Sequence, residues 1–158
     1  MNSTPKKPAL LVSACLLGVS CRYDGKSKPC PAVIALRERY RLIPVCPESL
    51  GGLPIPRLPS EIDDDRVKMQ NGHDVTENYR NGAETVLRIA QENRCTVAVL
   101  KEKSPSCGSG QIHNGKFDGG LIPGDGITTA LLKRNGITVL GESRIDKLPE
   151  HLDSASDT

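Results

Sequence analysis

The sequence predicts an α/β fold with an open, mostly parallel, Rossmann-like sheet and helices on both faces. Short apolar runs alternate with amphipathic stretches in the order strand, helix, strand, long helix, strand, helix, strand. The 158 residues include no Trp and a single Phe, so the core must be built from Leu, Ile, Val and Ala. Such a core is typical of a parallel sheet that helices cover.

The predicted strands are short apolar runs that end at Gly, Pro, Ser or Asn. They cover residues 9–14, 42–45, 95–100 and 137–140. Right-handed crossovers bring the carboxyl ends of parallel strands to one edge of the sheet. We therefore expect side chains that directly follow these strands to lie close together.

Three helices are predicted between the strands. Pro31 suits the first turn of a helix over residues 31–40. The longest helix covers residues 75–93, where Asp74 and Glu77 form a capping-box pattern. Its buried stripe is expected to contain Tyr79, Ala83, Val86, Leu87 and Ala90. A third helix covers residues 127–134, with Asp125 as its predicted cap.

The remaining segments are predicted to be loops and hairpins. Three prolines within residues 51–60 exclude a helix or an inner strand, and we interpret this segment as a binding loop. The pairs Asn71-Gly72 and Asn114-Gly115 each predict a hairpin turn. Pro47 is expected to hold Cys46 extended and to prevent a helix from beginning there.

Composition and charge restrict the function classes. We predict a disordered N-terminus at residues 1–8, a single domain at 9–142 and a polar tail at 143–158. The formal net charge of +2, with mixed signs along the chain, does not indicate RNA binding, although it is compatible with a local cluster of basic residues. No signal peptide or membrane span is predicted, which favours the cytoplasm and reduced cysteines.

The six cysteines are therefore candidates for metal binding or catalysis. Cys15, Cys46 and Cys107 each follow a predicted strand and lie in a turn rich in Gly, Pro or Ser. Zinc sites usually contain close Cys pairs or added His ligands, which this spacing lacks. Single thiolates from separate loops are typical of iron-sulfur ligation. We interpret the three as ligands of a metal cluster, and Cys21 as the candidate fourth ligand.

Several polar residues near these cysteines are candidates for catalysis or substrate binding. Glu48 lies two residues after Cys46, so on an extended backbone both side chains point the same way, and Glu48 could act as an acid or base. The candidates for hydrogen bonds or charge at a bound substrate, or for ordinary turn and surface roles, are Ser104, Ser106, Lys101, Gly108 and Asp125.

Four motifs in this order carry a resemblance to a known family. They are Ser13-Ala14-Cys15-Leu16-Leu17-Gly18, Cys21-Arg22-Tyr23-Asp24-Gly25, Cys46-Pro47-Glu48 with Gly51-Gly52-Leu53-Pro54, and Lys101 with Ser104-Pro105-Ser106-Cys107-Gly108. Over roughly residues 9 to 141 the chain resembles a bacterial family long catalogued as a domain of unknown function. Its characterised members are thiouracil and thiouridine desulfidases.

The resemblance implies a [4Fe-4S] cluster held by Cys15, Cys46 and Cys107, with an open iron that binds the sulfur of a thiolated base, nucleoside or nucleotide. It implies that Glu48 is the acid or base and that Ser104 is its hydrogen-bonding partner. Uracil or uridine and sulfide would be released with no net redox change.

Two other classes of function remain open at this point. One is an iron-sulfur carrier or redox sensor whose cluster is fully ligated by Cys15, Cys21, Cys46 and Cys107. The other is a zinc-dependent or thiol-dependent module that binds nucleotides and contains no cluster.

Overall fold

A computed structural model describes residues 7–148 of the chain. Its helices and strands in chain order are β1 (Ala9–Ser13), α1 (Pro31–Ile34), β2 (Arg41–Val45), α2 (Pro47–Leu50), β3 (Ser60–Asp63), β4 (Arg66–Met69), α3 (Thr76–Glu92), β5 (Val97–Leu100), β6 (Gln111–His113), β7 (Leu121–Pro123), α4 (Ile127–Arg134) and β8 (Thr138–Gly141). Turns of 3-10 helix cover Ala14–Leu17, Ala35–Glu38 and Glu142–Lys147.

The centre of the fold is a four-stranded sheet in the order β2-β1-β5-β8. Every neighbouring pair in it is parallel, so the predicted parallel sheet is confirmed. The chain adds β2 on one side of β1 and β5 on the other. The carboxyl ends of β1, β2 and β5 therefore flank the point where the strand order reverses, which is where open α/β sheets bind ligands.

Helices cover both faces of this sheet, as predicted. On one face, α3 and α4 pack Val86, Ala90 and Leu132 against Leu11 and Ala98 of the strands. The predicted stripe of α3 is buried at Tyr79, Ala83, Val86 and Ala90, while Leu87 is partly buried. On the other face, the apolar cluster contains Leu10, Val12, Leu16, Val33, Tyr40 and Val99.

The predicted capping box at Asp74 and Glu77 and the predicted cap at Asp125 are both wrong. Asp74 accepts a hydrogen bond from the Thr76 amide at 2.9 Å, but Glu77 pairs with Arg80, so no capping box forms. Asp125 does not cap α4, because its carboxylate accepts a bond from the Gly110 amide at 2.9 Å. In both cases a competing partner takes the side chain that local sequence assigned to the cap.

The predicted helix over residues 31–40 is α1 followed by a 3-10 turn at Ala35–Glu38. The expectation that Pro47 prevents a helix is also wrong, since α2 begins at Pro47 itself. Proline fits the first helical position because that position needs no amide donor. Cys46, the residue before it, is extended as predicted, with φ −129° and ψ 99°.

The hairpins differ from prediction in their turns. β3 and β4 pair through a turn at residues 64–65, whereas Asn71-Gly72 follows β4 and is flanked by a single bridge between Lys68 and Asp74. β6 and β7 form the predicted second hairpin, with a longer loop over residues 114–120.

The ends of the described chain pack against the domain. The Lys7 ammonium donates to the Arg37 carbonyl at 2.8 Å. Ile145 and Leu148 pack on the apolar cluster, although both lie within the predicted polar tail. Residues 1–6 of the predicted disordered N-terminus and residues 149–158 of the tail lie outside the described residues. None of the helices in residues 7–148 has both the length and the apolar composition that crossing a lipid bilayer requires.

Candidate metal centre and active site

A cavity of about 420 Å³ lies where β1, β2 and β5 end. The segments that directly follow these strands line it, together with parts of residues 57–61 and 113–119. All six cysteines are free thiols, and those that line the cavity are Cys15, Cys21, Cys46 and Cys107. The strand ends therefore bring together the cysteines that were predicted to converge.

The Cys21 thiol interacts with both Cys15 and Cys46. Hydrogen bonding to the Cys15 thiol is the main cause that raises the pKa of Cys21. The pKa of Cys46 is raised far above its ordinary value by the Cys21 thiol and by burial. The Cys46 thiol also donates to the Cys21 carbonyl oxygen at 3.7 Å. Cys21 thus lies between the two cysteines predicted to be ligands.

Cys107 lies among hydroxyl groups. Burial raises the pKa of its thiol to about 11. The Ser13 hydroxyl donates to Cys107 Sγ at 3.4 Å, and the Ser106 hydroxyl lies 3.6 Å from the same sulfur. Ser13 in turn accepts a bond from the Lys101 amide at 2.8 Å, which ties the end of β1 to the segment after β5.

The start of α4 holds the loop that carries Cys107. The Thr129 hydroxyl donates to the Cys107 carbonyl at 2.8 Å, and the Thr128 amide donates to the Ser106 carbonyl at 3.0 Å. A Cβ atom at Gly126 would lie 2.5 Å from the Ser106 carbonyl oxygen. Only glycine permits this approach, so α4 determines where the Cys107 loop lies.

Glu48 projects into the cavity from the first turn of α2, which packs directly on α3. A Cβ atom at Gly82 of α3 would lie 2.0 Å from the Pro47 carbonyl oxygen, so the two helices are in backbone contact. Arg57 approaches Glu48 Oε1 with Nε at 3.0 Å and Nη2 at 2.9 Å. Only 3% of the Arg57 side chain and 14% of the Glu48 side chain are exposed, so this ion pair is largely shielded from water.

The neighbours of this ion pair are polar as well. Arg57 Nη2 also donates to the Cys21 carbonyl at 2.9 Å, which links the carboxylate to the thiol group. The hydroxyl of buried Tyr79 lies beside Glu48, and burial together with that carboxylate raises the pKa of Tyr79 well above its usual value.

A chain of hydroxyl groups leads to the other oxygen of Glu48. The Ser106 hydroxyl donates to Glu48 Oε2 at 3.0 Å, so the direct partner of this carboxylate is Ser106 and not Ser104, which the resemblance implied. Ser104 Oγ lies 3.2 Å from Ser106 Oγ and accepts the amides of Ser106 and Cys107 at 3.2 and 2.7 Å. Because the Ser106 proton points to Glu48, Ser104 is the donor to Ser106.

The structure brings most of the predicted site residues together. Those that line the cavity are Cys15, Cys21, Cys46, Cys107, Glu48, Ser104, Ser106 and Lys101. The Lys101 ammonium pairs with Glu142 at 3.2 Å. Gly108 and Asp125 are outside the lining: Asp125 pairs with Lys133, and a Cβ atom at Gly108 would lie 2.7 Å from the Ser104 carbonyl oxygen. These two residues shape the loops behind the site.

Sequence analysis assigned no role to Ser13 or Arg57. Arg57 is a single cation in a proline-rich loop, and this feature was the signal that could have identified it. Ser13 precedes Cys15 within the first motif, but nothing local indicates that its hydroxyl reaches Cys107, which is distant in sequence.

The donor set fits a polynuclear iron-sulfur cluster better than a single ion. Within residues 7–148, no three His, Cys, Asp or Glu side chains approach closely enough to hold one metal ion. In a four-iron cluster, each cysteine thiolate binds a different iron, so the sulfurs surround the cofactor from separate loops. Soft sulfur donors around the cavity meet this requirement.

Comparisons with known proteins agree with this chemistry. The chain is 40% identical over 149 residues to the uncharacterized protein YbbK of Bacillus subtilis (strain 168). This match covers 88% of this chain and 99% of that protein. It is 45% identical to a solved structure of the [4Fe-4S]-dependent thiouracil desulfidase TudS, with a TM-score of 0.84. That match covers 96% of this chain and 100% of the other. The 2-thiouracil desulfurase model matches residues 10–144, and the chain therefore belongs to this family, as the motifs predicted.

Proposed function

We propose that this protein is a [4Fe-4S]-dependent desulfidase that removes sulfur from a thiolated pyrimidine without net redox change. Water would supply the oxygen that replaces sulfur on the ring carbon, and its two protons would leave with the sulfur as hydrogen sulfide. Uracil or uridine would be the organic product. The reaction balances with water alone, so it needs neither an oxidant nor a reductant. We place the reaction in the cytoplasm, where thiols remain reduced.

One observation supports this proposal most directly: a single hydroxyl joins a carboxylate to a candidate metal ligand. Ser106 Oγ lies 3.0 Å from Glu48 Oε2 and 3.6 Å from Cys107 Sγ. In our proposal Cys15, Cys46 and Cys107 hold the cluster. When bound, it would supply a Lewis-acidic iron with an open position for soft sulfur, which weakens the carbon-sulfur bond.

Glu48 would accept and return protons at Oε2. Arg57 holds Oε1 through two of its nitrogens, at 3.0 and 2.9 Å, while Ser106 binds the other oxygen, and these contacts together orient the carboxylate. Oε2 is then the oxygen that faces Ser106. A carboxylate held in this orientation can take a proton from the attacking water and deliver it to the departing sulfur.

Ser104 and Ser106 would connect this carboxylate to the substrate. Both backbone amides that approach Ser104 Oγ are donors, so its own proton remains available for Ser106 or for a bound base. Proton movement from Ser104 through Ser106 to Glu48 needs no rearrangement of heavy atoms, because the oxygens are already 3.2 and 3.0 Å apart.

Whether Cys21 is a cluster ligand distinguishes the desulfidase from the alternative, an electron carrier or redox sensor whose cluster has four thiolate ligands. We expect Cys15→Ala, Cys46→Ala and Cys107→Ala each to lose most of the bound iron, and Cys21→Ala to retain it. Cys30→Ala is the matched control, because Cys30 is partly buried but outside the cavity lining. Iron and acid-labile sulfide would be measured after anaerobic reconstitution. Loss of the cluster in Cys21→Ala would favour the carrier.

The experiment that tests the proposed activity is sulfide release from a panel of thiolated bases, nucleosides and nucleotides. We expect reconstituted protein to release one sulfide for each uracil or uridine formed. RNA belongs in the panel, although the net charge of +2 does not favour it. A colourless protein with one zinc and no acid-labile sulfide would instead support the zinc-dependent module.

A further inference from the structure

A loop of the β6–β7 hairpin forms a wall of the cavity that the proposed mechanism does not use. His113, at the end of β6, lines the cavity together with Phe117 and Gly119. The His113 Nδ1 atom is buried and has no hydrogen-bond partner among residues 7–148. A buried polar atom without a partner is costly, and this one belongs to a side chain that lines the cavity, so we take a bound ligand as its partner.

Glu61 of β3 holds this wall in place. Its carboxylate is buried, and Oε1 accepts the backbone amides of Gly115 at 2.9 Å and Phe117 at 3.2 Å. Gly115 has φ +89°, and a Cβ atom there would lie 2.7 Å from the Ile62 carbonyl oxygen. The loop is therefore attached to β3 at a spacing that only glycine allows, and the wall is preorganised.

Phe117 gives the wall an aromatic surface. It is the single Phe of the chain and is partly buried at the cavity. Its φ of +55° is uncommon for a residue with a side chain. An aromatic ring and an imidazole that share one wall are suited to a flat heterocycle, through ring packing and one edge hydrogen bond.

We propose that His113 is a specificity-determining residue, which donates a hydrogen bond from Nδ1 to the exocyclic oxygen that the thiolated pyrimidine retains. This inference rests on the proposed function, because it names the part of the substrate that the wall recognises. In this orientation, the sulfur atom of the substrate points toward the cysteines, and the ring edge that carries the exocyclic oxygen contacts His113. A site built to pair with a substrate oxygen discriminates against an analogue that lacks it.

The first test measures uracil binding to the holoenzyme by calorimetry in His113→Asn and His113→Leu. Asn and Leu have the same branched shape, but only Asn retains a polar atom near the position of Nδ1. We expect His113→Leu to weaken uracil binding about tenfold, as one lost hydrogen bond implies, and His113→Asn to stay within about threefold. His73→Leu is the control, because His73 is exposed in the turn after β4. Equal affinity in His113→Leu and the unaltered protein would overturn the inference.

The second test needs no variant and therefore does not depend on whether the substituted proteins fold. The unaltered holoenzyme should bind uracil at least about tenfold more tightly than pyrimidine, which lacks both exocyclic oxygens and so offers His113 no exocyclic acceptor. Equal binding of the two would overturn the role of His113. If uracil binding depends on His113 but no substrate releases sulfide, the inference stands and the proposed function alone fails.

Discussion

Glu48 and Glu61 are two largely buried carboxylates that line one cavity from different parts of the fold. Glu48 follows a strand of the parallel sheet, and its partners are the side chains of Arg57 and Ser106. Glu61 lies on the β3–β4 hairpin, and its partners are the backbone amides of Gly115 and Phe117.

The different partners indicate different roles, proton transfer for Glu48 and placement of a loop for Glu61. A carboxylate bound by a hydroxyl can exchange protons through it, whereas a carboxylate bound by amides serves to hold a loop. In our proposal, the sheet edge therefore supplies the thiols and the acid or base, and the hairpins supply a shaped wall.

The largest effect is expected at Glu48. Glu48→Gln should lower kcat about 10²-fold to 10⁴-fold, because the amide cannot act as an acid or base. The visible absorption of the cluster should remain, since Glu48 is not a proposed ligand. Sulfide release from 2-thiouracil would measure the loss, and Glu61→Gln is the matched control with near-normal activity. Full activity in Glu48→Gln would remove Glu48 from the mechanism.

The next effect is expected where α2 and α3 touch. Gly82→Ala places a Cβ atom 2.0 Å from the Pro47 carbonyl oxygen, so the helices must separate and Glu48 must shift. We expect a loss of about 1–3 kcal/mol in the free energy of unfolding, measured with urea, together with lower activity. Asn81→Ala, at the exposed neighbouring position, should be nearly neutral. A fully stable and active Gly82→Ala would show that α2 does not need this contact.

A smaller effect is expected at Glu61. Glu61→Ala leaves the amides of Gly115 and Phe117 without their acceptor, which should loosen the wall and raise KM about tenfold with a smaller change in kcat. Glu61→Gln keeps an acceptor oxygen and should resemble the unaltered enzyme. The same substitution, Glu to Gln, is thus expected to lower kcat strongly at 48 and to be tolerated at 61. A kcat loss in Glu61→Gln as large as that in Glu48→Gln would contradict the division.

The smallest effect is expected at the exposed pair Arg66–Asp74, which links the start of β4 to the segment before α3. Hydrogen bonding to Arg66, and then to Thr76, lowers the pKa of Asp74 below its ordinary value. The stability that this lowering contributes is present above the ordinary carboxyl pKa, about 3.9, and is lost as pH falls toward the lowered value. Asp74→Asn should lower Tm slightly at pH 7, and the difference should shrink in acid. A constant Tm difference across pH would contradict this linkage.

The parallel sheet and the cysteine edge could be predicted because they depend on local patterns with a general rule behind them. Apolar runs mark buried strands, and parallel connections place their carboxyl ends at one edge. That rule is sufficient to bring Cys15, Cys46 and Cys107 to one cavity. The predicted cap at Asp125 failed for the opposite reason, since the amide of Gly110, which is remote from the local pattern, takes its carboxylate.

The roles of Arg57, Glu61 and His113 could not be predicted, because each depends on a partner from another segment. Arg57 meets Glu48 through the course of an irregular loop, and Glu61 meets amides more than fifty residues away in sequence. No periodicity encodes such contacts.

By itself, the sequence determined the fold class, the set of thiols that meet and the family to which the chain belongs. Strand periodicity, residue type and motif order are properties of the amino-acid sequence and do not depend on how the chain packs. Only the tertiary structure decided which oxygen of Glu48 faces Ser106 and which wall faces the thiols. Hydrogen-bond direction and cavity shape arise from distances between segments, and these distances exist only after the chain has packed.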